Sequence, residues 1–139
     1  MTEIIFFEKT GCVNNTKQKE LLSLAGHKVI PIDILKHNWN ENEILSFFKN
    51  KPIKDWFNMM APSIKSGSIT PDKYNQTEAL SLLLSEHILI KRPLMIINNE
   101  YIVGFDKDFL DQKIGLSSPN LKSQKLMDSD IVTCPTLQK

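Results

Sequence analysis

Two short β-rich runs that bracket a helical segment near the amino terminus constrain the fold most. Residues 4–8, IIFFE, end at the turn-prone KTG, and residues 27–35, HKVIPIDIL, alternate along a second predicted strand. Between them, residues 13–25 carry a helical apolar stripe, and Gly26 stands where a helix stop is expected. Strand, helix and strand in this order predict a right-handed βαβ unit with parallel strands. Pro31 places the second strand at a sheet edge or a bulge.

The middle of the chain is predicted to be helical. Asn40 is a good N-cap for a helix over ENEILSFFKN, a short helix is predicted around Trp56, and residues 77–87 form an amphipathic helix. Met59-Met60 lies beside Trp56-Phe57, and we interpret these four residues as core. An exposed cluster at this position would instead be a partner surface.

A hairpin and a closing helix follow. LMIINNEYIVGF at 94–105 predicts two strands that turn at Asn98-Asn99, since asparagine tolerates the left-handed backbone conformation. DKDFLDQKIG then predicts a helix that ends at Gly115. Its expected caps are Asp106 or Asp108, and its expected buried residues are Phe109, Leu110 and Ile114.

The order of elements predicts an α/β fold class. The predicted fold is thioredoxin-like, with the element order β-α-β, then a helical insert, then β-β-α, around a mixed four-stranded sheet. We predict one domain over 1–116 with the insert at about 40–90. Residues 117–139 lose periodicity and are interpreted as a polar C-terminal tail.

Composition excludes several classes of function. The formal charge of +1, from 17 basic and 16 acidic residues, leaves no excess to neutralise phosphates, so no nucleic acid partner is expected. No segment suits a secretion signal or a membrane span, and we expect a cytoplasmic protein without a membrane partner. Two cysteines are too few for a disulfide scaffold, and the three histidines lack metal-ligand spacing, so no metal site is predicted.

Cys12 is the candidate nucleophile. It follows Gly11 in the loop KTGC and precedes a helix, so backbone N–H groups and the positive end of the helix dipole favour its thiolate. The alternative is a small, buried and inert helix-start residue. Asn15 occupies the position where a CxxC pair would place its second thiol, so the short disulfide is excluded. We expect Asn14, Asn15 and Thr16 to cap the helix rather than to contact substrate.

Arg92-Pro93 is the second candidate element. This bend precedes the hairpin strand and, in a thioredoxin-like sheet, lies across from the cysteine loop. Arg92 would then stabilise the thiolate or hold an oxyanion, whereas a surface arginine is the alternative. Lys9, Lys17 and Lys91 are interpreted as solvated and are left outside the site.

Cys134 is the second cysteine and lies in the predicted tail. About 18 residues separate it from Leu116, a reach of up to roughly 60 Å, so it is a candidate resolving thiol for Cys12. The alternative is an incidental exposed cysteine.

Several segments that together span about 3–116 carry a family resemblance: IIFFEKTGCVNNTKQKELLSLAGHKVIPIDIL, NKPIKDWFN, APSIKSG, ILIKRPLMIINNEYIVGFD and KIGL. In this order they resemble the nitrogenase-associated proteins of the arsenate reductase-like family. The resemblance implies a thioredoxin-like fold, a functional cysteine at Cys12, and an association with nitrogen fixation. Arsenate reductases of this kind hold the oxyanion with three arginines. Only Arg92 matches one of them, because Asn58-Met59 and Gly104-Phe105 occupy the other two places, so we expect little arsenate reduction.

Two functions remain open at this stage. The first is a thiol oxidoreductase with no bound cofactor, in which Cys12 attacks a small thiol-derived or oxyanion substrate and glutathione or another thiol resolves the adduct. The second is a module that keeps the fold and binds a protein partner without turnover.

Overall fold

The computed structural model describes residues 2–117 and 120–132. Within these ranges, three short 3-10 helices lie at Ile53–Trp56, Pro71–Lys73 and His87–Leu89. The elements are, in chain order, β1 Glu3–Glu8, α1 Val13–Leu24, β2 Lys28–Asp33, α2 Glu41–Phe48, α3 Pro62–Lys65, α4 Gln76–Ser85, β3 Leu94–Ile97, β4 Glu100–Val103, α5 Lys107–Ile114 and α6 Leu121–Asp128. None of the helices in these ranges has the length and apolar character needed to cross a bilayer.

The four strands form one mixed sheet in the order β2-β1-β3-β4. β1 pairs with β2 in parallel and with β3 antiparallel, and β3 pairs with β4 antiparallel. The predicted fold class is confirmed. β2 is an edge strand, as Pro31 predicted, because proline removes one donor from the ladder.

The two faces of the sheet are covered by different parts of the chain. Phe7 on β1 packs into a cluster built largely from the insert, where Phe48 and Trp56 stack with ring centroids 5.7 Å apart. Ile4 and Phe6, which point to the opposite face, pack into a second cluster with residues of α1, α5 and α6. The insert therefore covers one face of the sheet and supplies most of the aromatic residues buried there.

Helix α5 shows one error in the predicted core. Phe109 was expected to be buried but is 45% exposed, whereas Leu110 is fully buried. Adjacent helical residues point about 100° apart, so only one of the two can face the sheet. The Lys113 ammonium lies over the Phe109 ring, 5.9 Å from its centroid.

The expected polar tail contains structure over residues 120–132. Asn120 caps α6 by accepting hydrogen bonds from the backbone N–H groups of Lys122 and Ser123. Leu126 and Ile131 are buried in the second cluster, and the Lys107 ammonium donates to the Met127 carbonyl at 2.8 Å. Residues 120–132 therefore form a helix and a short segment that pack on the core of the domain, which the loss of periodicity in the sequence did not predict. Cys134 lies outside the described residues.

Candidate functional site

The loop between β1 and α1 places Cys12 at the N-cap of the helix. Gly11 has a φ of +87°, which favours glycine, and the Cys12 N–H donates to the Lys9 carbonyl at 3.0 Å. The Thr16 hydroxyl donates to the Cys12 carbonyl at 3.0 Å. Cys12 itself is 6% exposed. The turn and the helix together fix the backbone that carries the thiol.

The side chain of Cys12, at the N-cap of α1, makes no capping hydrogen bond. Asn15 and Thr16 do not cap the helix as expected, because their described side-chain hydrogen bonds join Lys9, Gln18 and the Cys12 carbonyl. The other described helices of eight or more residues are all capped by a side chain, which is Asn40, Asn75, Asp106 or Asn120. At α1 the thiol occupies the cap position, where the positive end of the helix dipole lies.

Asn15 organises the loop from inside the protein. Its Oδ1 accepts a hydrogen bond from the Lys9 N–H at 3.0 Å, and its Nδ2 donates to Gln18 Oε1 at 3.0 Å. Gln18 Nε2 in turn donates to the Ile131 carbonyl at 2.8 Å. Asn15 and Gln18 are both buried, so this relay joins the cysteine loop, α1 and the segment after α6. Both polar groups of the Asn15 side chain are thus engaged within the protein, although not as the helix cap that was expected.

Arg92 lies at the same end of the sheet as the cysteine loop. The Arg92-Pro93 bond is cis, and the Pro93 carbonyl accepts the Gly104 N–H at 2.8 Å. The next residue, Leu94, pairs with Phe7 near the end of β1, which leads into the loop. Arg92 is the only arginine in the sequence. Its Nε is buried without a hydrogen-bond partner, which leaves a donor for a bound group.

Cys12 and Arg92 line one cavity of about 730 Å³ between the cysteine loop and the insert. Lys9 and Lys65 also line it, and no aspartate or glutamate does so among the described residues. Within the same ranges, none of these three cations has a carboxylate partner within ion-pair distance. The remaining lining residues are Gly11, Val13, Asn58, Met60, Ala61, Pro62 and Ile88.

The cavity includes residues that sequence reasoning left out. Lys9 was interpreted as solvated, and Met60 was interpreted as core, yet both line the cavity. Trp56 and Phe57 are buried as predicted, whereas Met59 is 51% exposed. Nothing in the sequence around Met59-Met60 distinguishes a methionine that packs in the core from one that lines a cavity.

Lys65 reaches the cavity because the insert folds back on itself. The Asn58 N–H donates to the Leu89 carbonyl at 2.7 Å, and Phe57 and Ile90 form an isolated antiparallel bridge. This contact joins residues about thirty positions apart in sequence, so local patterns could not predict it.

The two positions where the resemblance leads one to expect further arginines lie in different surroundings. Asn58 lines the cavity, but its side chain is engaged, because Nδ2 donates to the Ile88 carbonyl and Oδ1 accepts the Met60 N–H. Phe105 is buried in the second cluster and does not line the cavity. Among the described residues no group of three or more histidine, cysteine or acidic side chains is placed to hold a metal ion.

The chain is 38% identical over 136 residues to an uncharacterized 15.7 kDa protein in the draG 3′ region of Rhodospirillum rubrum, covering 98% of this chain and 90% of that protein. No family model matches. An ArsC family related protein from Bacteroides fragilis superposes with a TM-score of 0.69 at 22% identity, covering 78% of this chain and 95% of that one. An arsenate reductase from Vibrio cholerae superposes with a TM-score of 0.65 at 12% identity, covering 84% and 98%. These structures establish an ArsC-like, thioredoxin-like fold.

Proposed function

This chain belongs to the family of the 15.7 kDa protein of Rhodospirillum rubrum, and on that premise we propose that it is a thiol oxidoreductase whose nucleophile is Cys12. One observation carries the proposal. Among the described helices of eight or more residues, α1 alone has an N-cap residue, Cys12, whose side chain makes no capping hydrogen bond. Cys12 also lines a cavity that three cations and no described carboxylate line.

The surroundings of Cys12 carry positive charge. The amino terminus of α1, which is the positive end of the helix dipole, and the guanidinium of Arg92 both border the cavity that Cys12 lines. Nucleophilic attack needs the thiolate, because the thiol is a poor nucleophile. The same cations would attract an anionic substrate.

The proposed reaction is thiol–disulfide exchange. The Cys12 thiolate attacks one sulfur of a disulfide, forms a mixed disulfide, and releases the other half as a thiolate. A second thiol then attacks the mixed disulfide and regenerates Cys12, with no net loss of electrons from the protein. Because Asn15 stands where a CxxC partner would be, the second thiol comes from glutathione or from elsewhere in the chain.

Cys134 is our proposal for a resolving thiol within the chain. Gln18 holds the Ile131 carbonyl against α1, and Cys134 lies three positions beyond Ile131, a reach of at most about 10 Å. After mild peroxide treatment, which oxidises Cys12 to a sulfenic acid, attack by the Cys134 thiol would release water and form a disulfide. Non-reducing peptide mapping should recover the Cys12–Cys134 peptide. Recovery of Cys12 as a glutathione adduct alone, with glutathione present, would assign resolution to the external thiol.

Alkylation by iodoacetamide at pH 7 tests the proposed nucleophile. In a Cys134→Ser variant, Cys12 should react about tenfold faster than N-acetylcysteine, because reactive cysteines are typical of helix N-termini that have cations nearby. The matched control is Cys12→Ser, in which Cys134 reports an ordinary thiol of the same chain. If Cys12 reacts no faster than N-acetylcysteine, the protein is better explained as a partner-binding module.

Arsenate reduction should be slow. Only Arg92 remains of the three arginines that the resemblance leads one to expect, and each missing charge-assisted contact weakens oxyanion binding. With glutathione and glutaredoxin present, we expect turnover well below about 1 per second. Faster turnover would mean that Lys9 and Lys65 replace the arginines.

We extend the proposal to a role in nitrogen fixation. The resemblance to nitrogenase-associated proteins and the draG 3′ region of the relative support it. Deletion of the relative's gene in Rhodospirillum rubrum should slow growth on dinitrogen but not on ammonium, and this chain should restore it. Equal growth of the deletion strain on both nitrogen sources would remove the link.

A further inference from the structure

The walls of the Cys12 cavity divide into a charged part and an apolar part. Lys9, Lys65 and Arg92 supply positive charge, whereas Val13, Met60, Ala61, Pro62 and Ile88 supply apolar surface. Ligand sites of this mixed kind enclose the apolar body of an organic molecule and orient it with a few polar groups. A site for a small inorganic oxyanion needs no apolar wall.

The size of the cavity points in the same direction. At about 730 Å³ it falls within the roughly 300–1,000 Å³ of clefts that enclose organic ligands. Three of the apolar lining residues, Met60, Ala61 and Pro62, come from the part of the insert that leads into α3. The resemblance assigns one of the lost arginines to this stretch, at Asn58-Met59. Where the resemblance leads one to expect an arginine, this chain therefore presents the amide of Asn58 and the apolar side chain of Met60 to the cavity.

The cations of the cavity lack partners that would occupy them. Arg92 Nε is buried with no acceptor, and neither Lys9 nor Lys65 forms an ion pair within the described ranges. A buried donor without an acceptor is costly, and an anionic ligand group would satisfy it. The charged part of the ligand should therefore lie toward Arg92.

We infer that the substrate of Cys12 is an organic disulfide in which one half combines an apolar body with an anionic group. This inference rests on the proposed function, because it names the substrate class of the same site. The Cys12 thiolate attacks the sulfur of the apolar, anionic half, the S–S bond breaks, and the other half leaves as a thiolate. The resulting mixed disulfide keeps the apolar body against Met60 and the anion near Arg92 and Lys65.

Three probe disulfides separate the contributions of charge and apolar surface. Dithiobis(nitrobenzoate) is aromatic and anionic, dithiodipyridine is aromatic and neutral, and dithiodiglycolate is anionic without an apolar body. The full chain carrying Cys134→Ser has Cys12 as its only thiol, and each rate is divided by the rate of N-acetylcysteine with the same probe. We expect the normalised rate with dithiobis(nitrobenzoate) to exceed both others by about tenfold.

Paired variants assign the preference to the two parts of the cavity. Met60→Gln should slow the reactions of both aromatic probes and leave that of dithiodiglycolate unchanged, while Met59→Gln, at an exposed neighbour outside the cavity, should change none. Lys65→Gln should slow the reactions of both anionic probes and leave that of dithiodipyridine unchanged. Lys73→Gln, at an exposed lysine outside the cavity, is its control.

The outcomes distinguish this inference from the proposed function. Equal normalised rates for the three probes, together with fast alkylation of Cys12 by iodoacetamide, would overturn the substrate class and leave the oxidoreductase intact. Slow alkylation of Cys12 would overturn both. A preference for dithiodiglycolate over dithiobis(nitrobenzoate) would indicate a site for small anions and would also overturn the substrate class.

Discussion

The start of α1 and the starts of the two longer helices of the insert are built in opposite ways. Asn40 at α2 accepts the Glu43 N–H at 2.9 Å, and the Glu43 carboxylate accepts the Asn40 N–H in return. Asn75 and Glu78 make the same reciprocal pair at α4. At α1, Cys12 occupies the cap position and makes no such bond.

Under the proposed function, stability is given up at α1 for the reactivity of Cys12. A capping side chain contributes about 1 kcal/mol to the stability of a helix, and α1 does without it. In exchange, the positive end of the longest described helix faces a thiol that lines the cavity. Other contacts must hold the first turn of α1 in place, and the buried relay from Lys9 through Asn15 and Gln18 supplies them.

The largest predicted effect follows from the substitution Cys12→Ser. Turnover of dithiobis(nitrobenzoate) with glutathione should fall to background, because a serine hydroxyl does not replace a thiolate in disulfide exchange. The free energy of unfolding should rise by about 1 kcal/mol, because serine is a favourable N-cap. Urea denaturation measures this rise.

Cys12→Ala is the control for that comparison. It should also lose turnover but should gain no stability, since alanine has no capping oxygen. If Cys12→Ser proves no more stable than Cys12→Ala, the absence of a cap at α1 has no energetic cost and the contrast between the helix starts fails.

Sequence patterns predicted the elements whose signals are local. Asn40 followed three residues later by Glu43 is a capping pattern, and Asn98 and Asn99 adopt the φ values of +49° and +66° that their turn demands. The patterns failed where tertiary contacts decide. Among residues 120–132, the buried Leu126 and Ile131 and the partly buried Met127 pack into the second cluster, and so few apolar residues give no helical periodicity in the sequence.

The residues of the candidate site also fall into those that local patterns could predict and those that tertiary contacts place. Cys12 and Arg92 flank predicted elements, so topology brings them to one end of the sheet. Met60 and Lys65 reach the cavity only because Asn58 docks on Leu89, which no short-range pattern encodes.

The second prediction concerns the relay that replaces the cap. Gln18→Leu should lower the free energy of unfolding by about 2–3 kcal/mol, because it leaves Asn15 Nδ2 and the Ile131 carbonyl buried without partners. Gln112→Leu, at an exposed position of α5, should change stability by less than about 0.5 kcal/mol. Chemical denaturation of both variants measures the difference. Equal stability of the two variants would mean that the relay does not hold the start of α1.

The third prediction tests the geometry of the only arginine. Arg92→Lys keeps the charge but removes the planar fork, so kcat/KM for dithiobis(nitrobenzoate) should fall by about tenfold. The value for neutral dithiodipyridine should change less, because it lacks a carboxylate for the fork to bind. Equal losses with the two probes would show that Arg92 acts on the Cys12 thiolate rather than on the substrate anion.

The smallest effect is predicted at the capped helices of the insert. Asn40→Ala should lower the free energy of unfolding by about 1 kcal/mol, because it removes the acceptor of the Glu43 N–H, and Asn40→Ser should retain most of that stability. Alkylation of Cys12 should keep its wild-type rate in both variants, since α2 contributes no residue to the described lining of the cavity. The contrast between the helix starts requires this separation of stability from reactivity. A slower alkylation of Cys12 in Asn40→Ala, at temperatures where the variant is folded, would show that the insert transmits its packing to the cysteine loop and that the two regions are not independent.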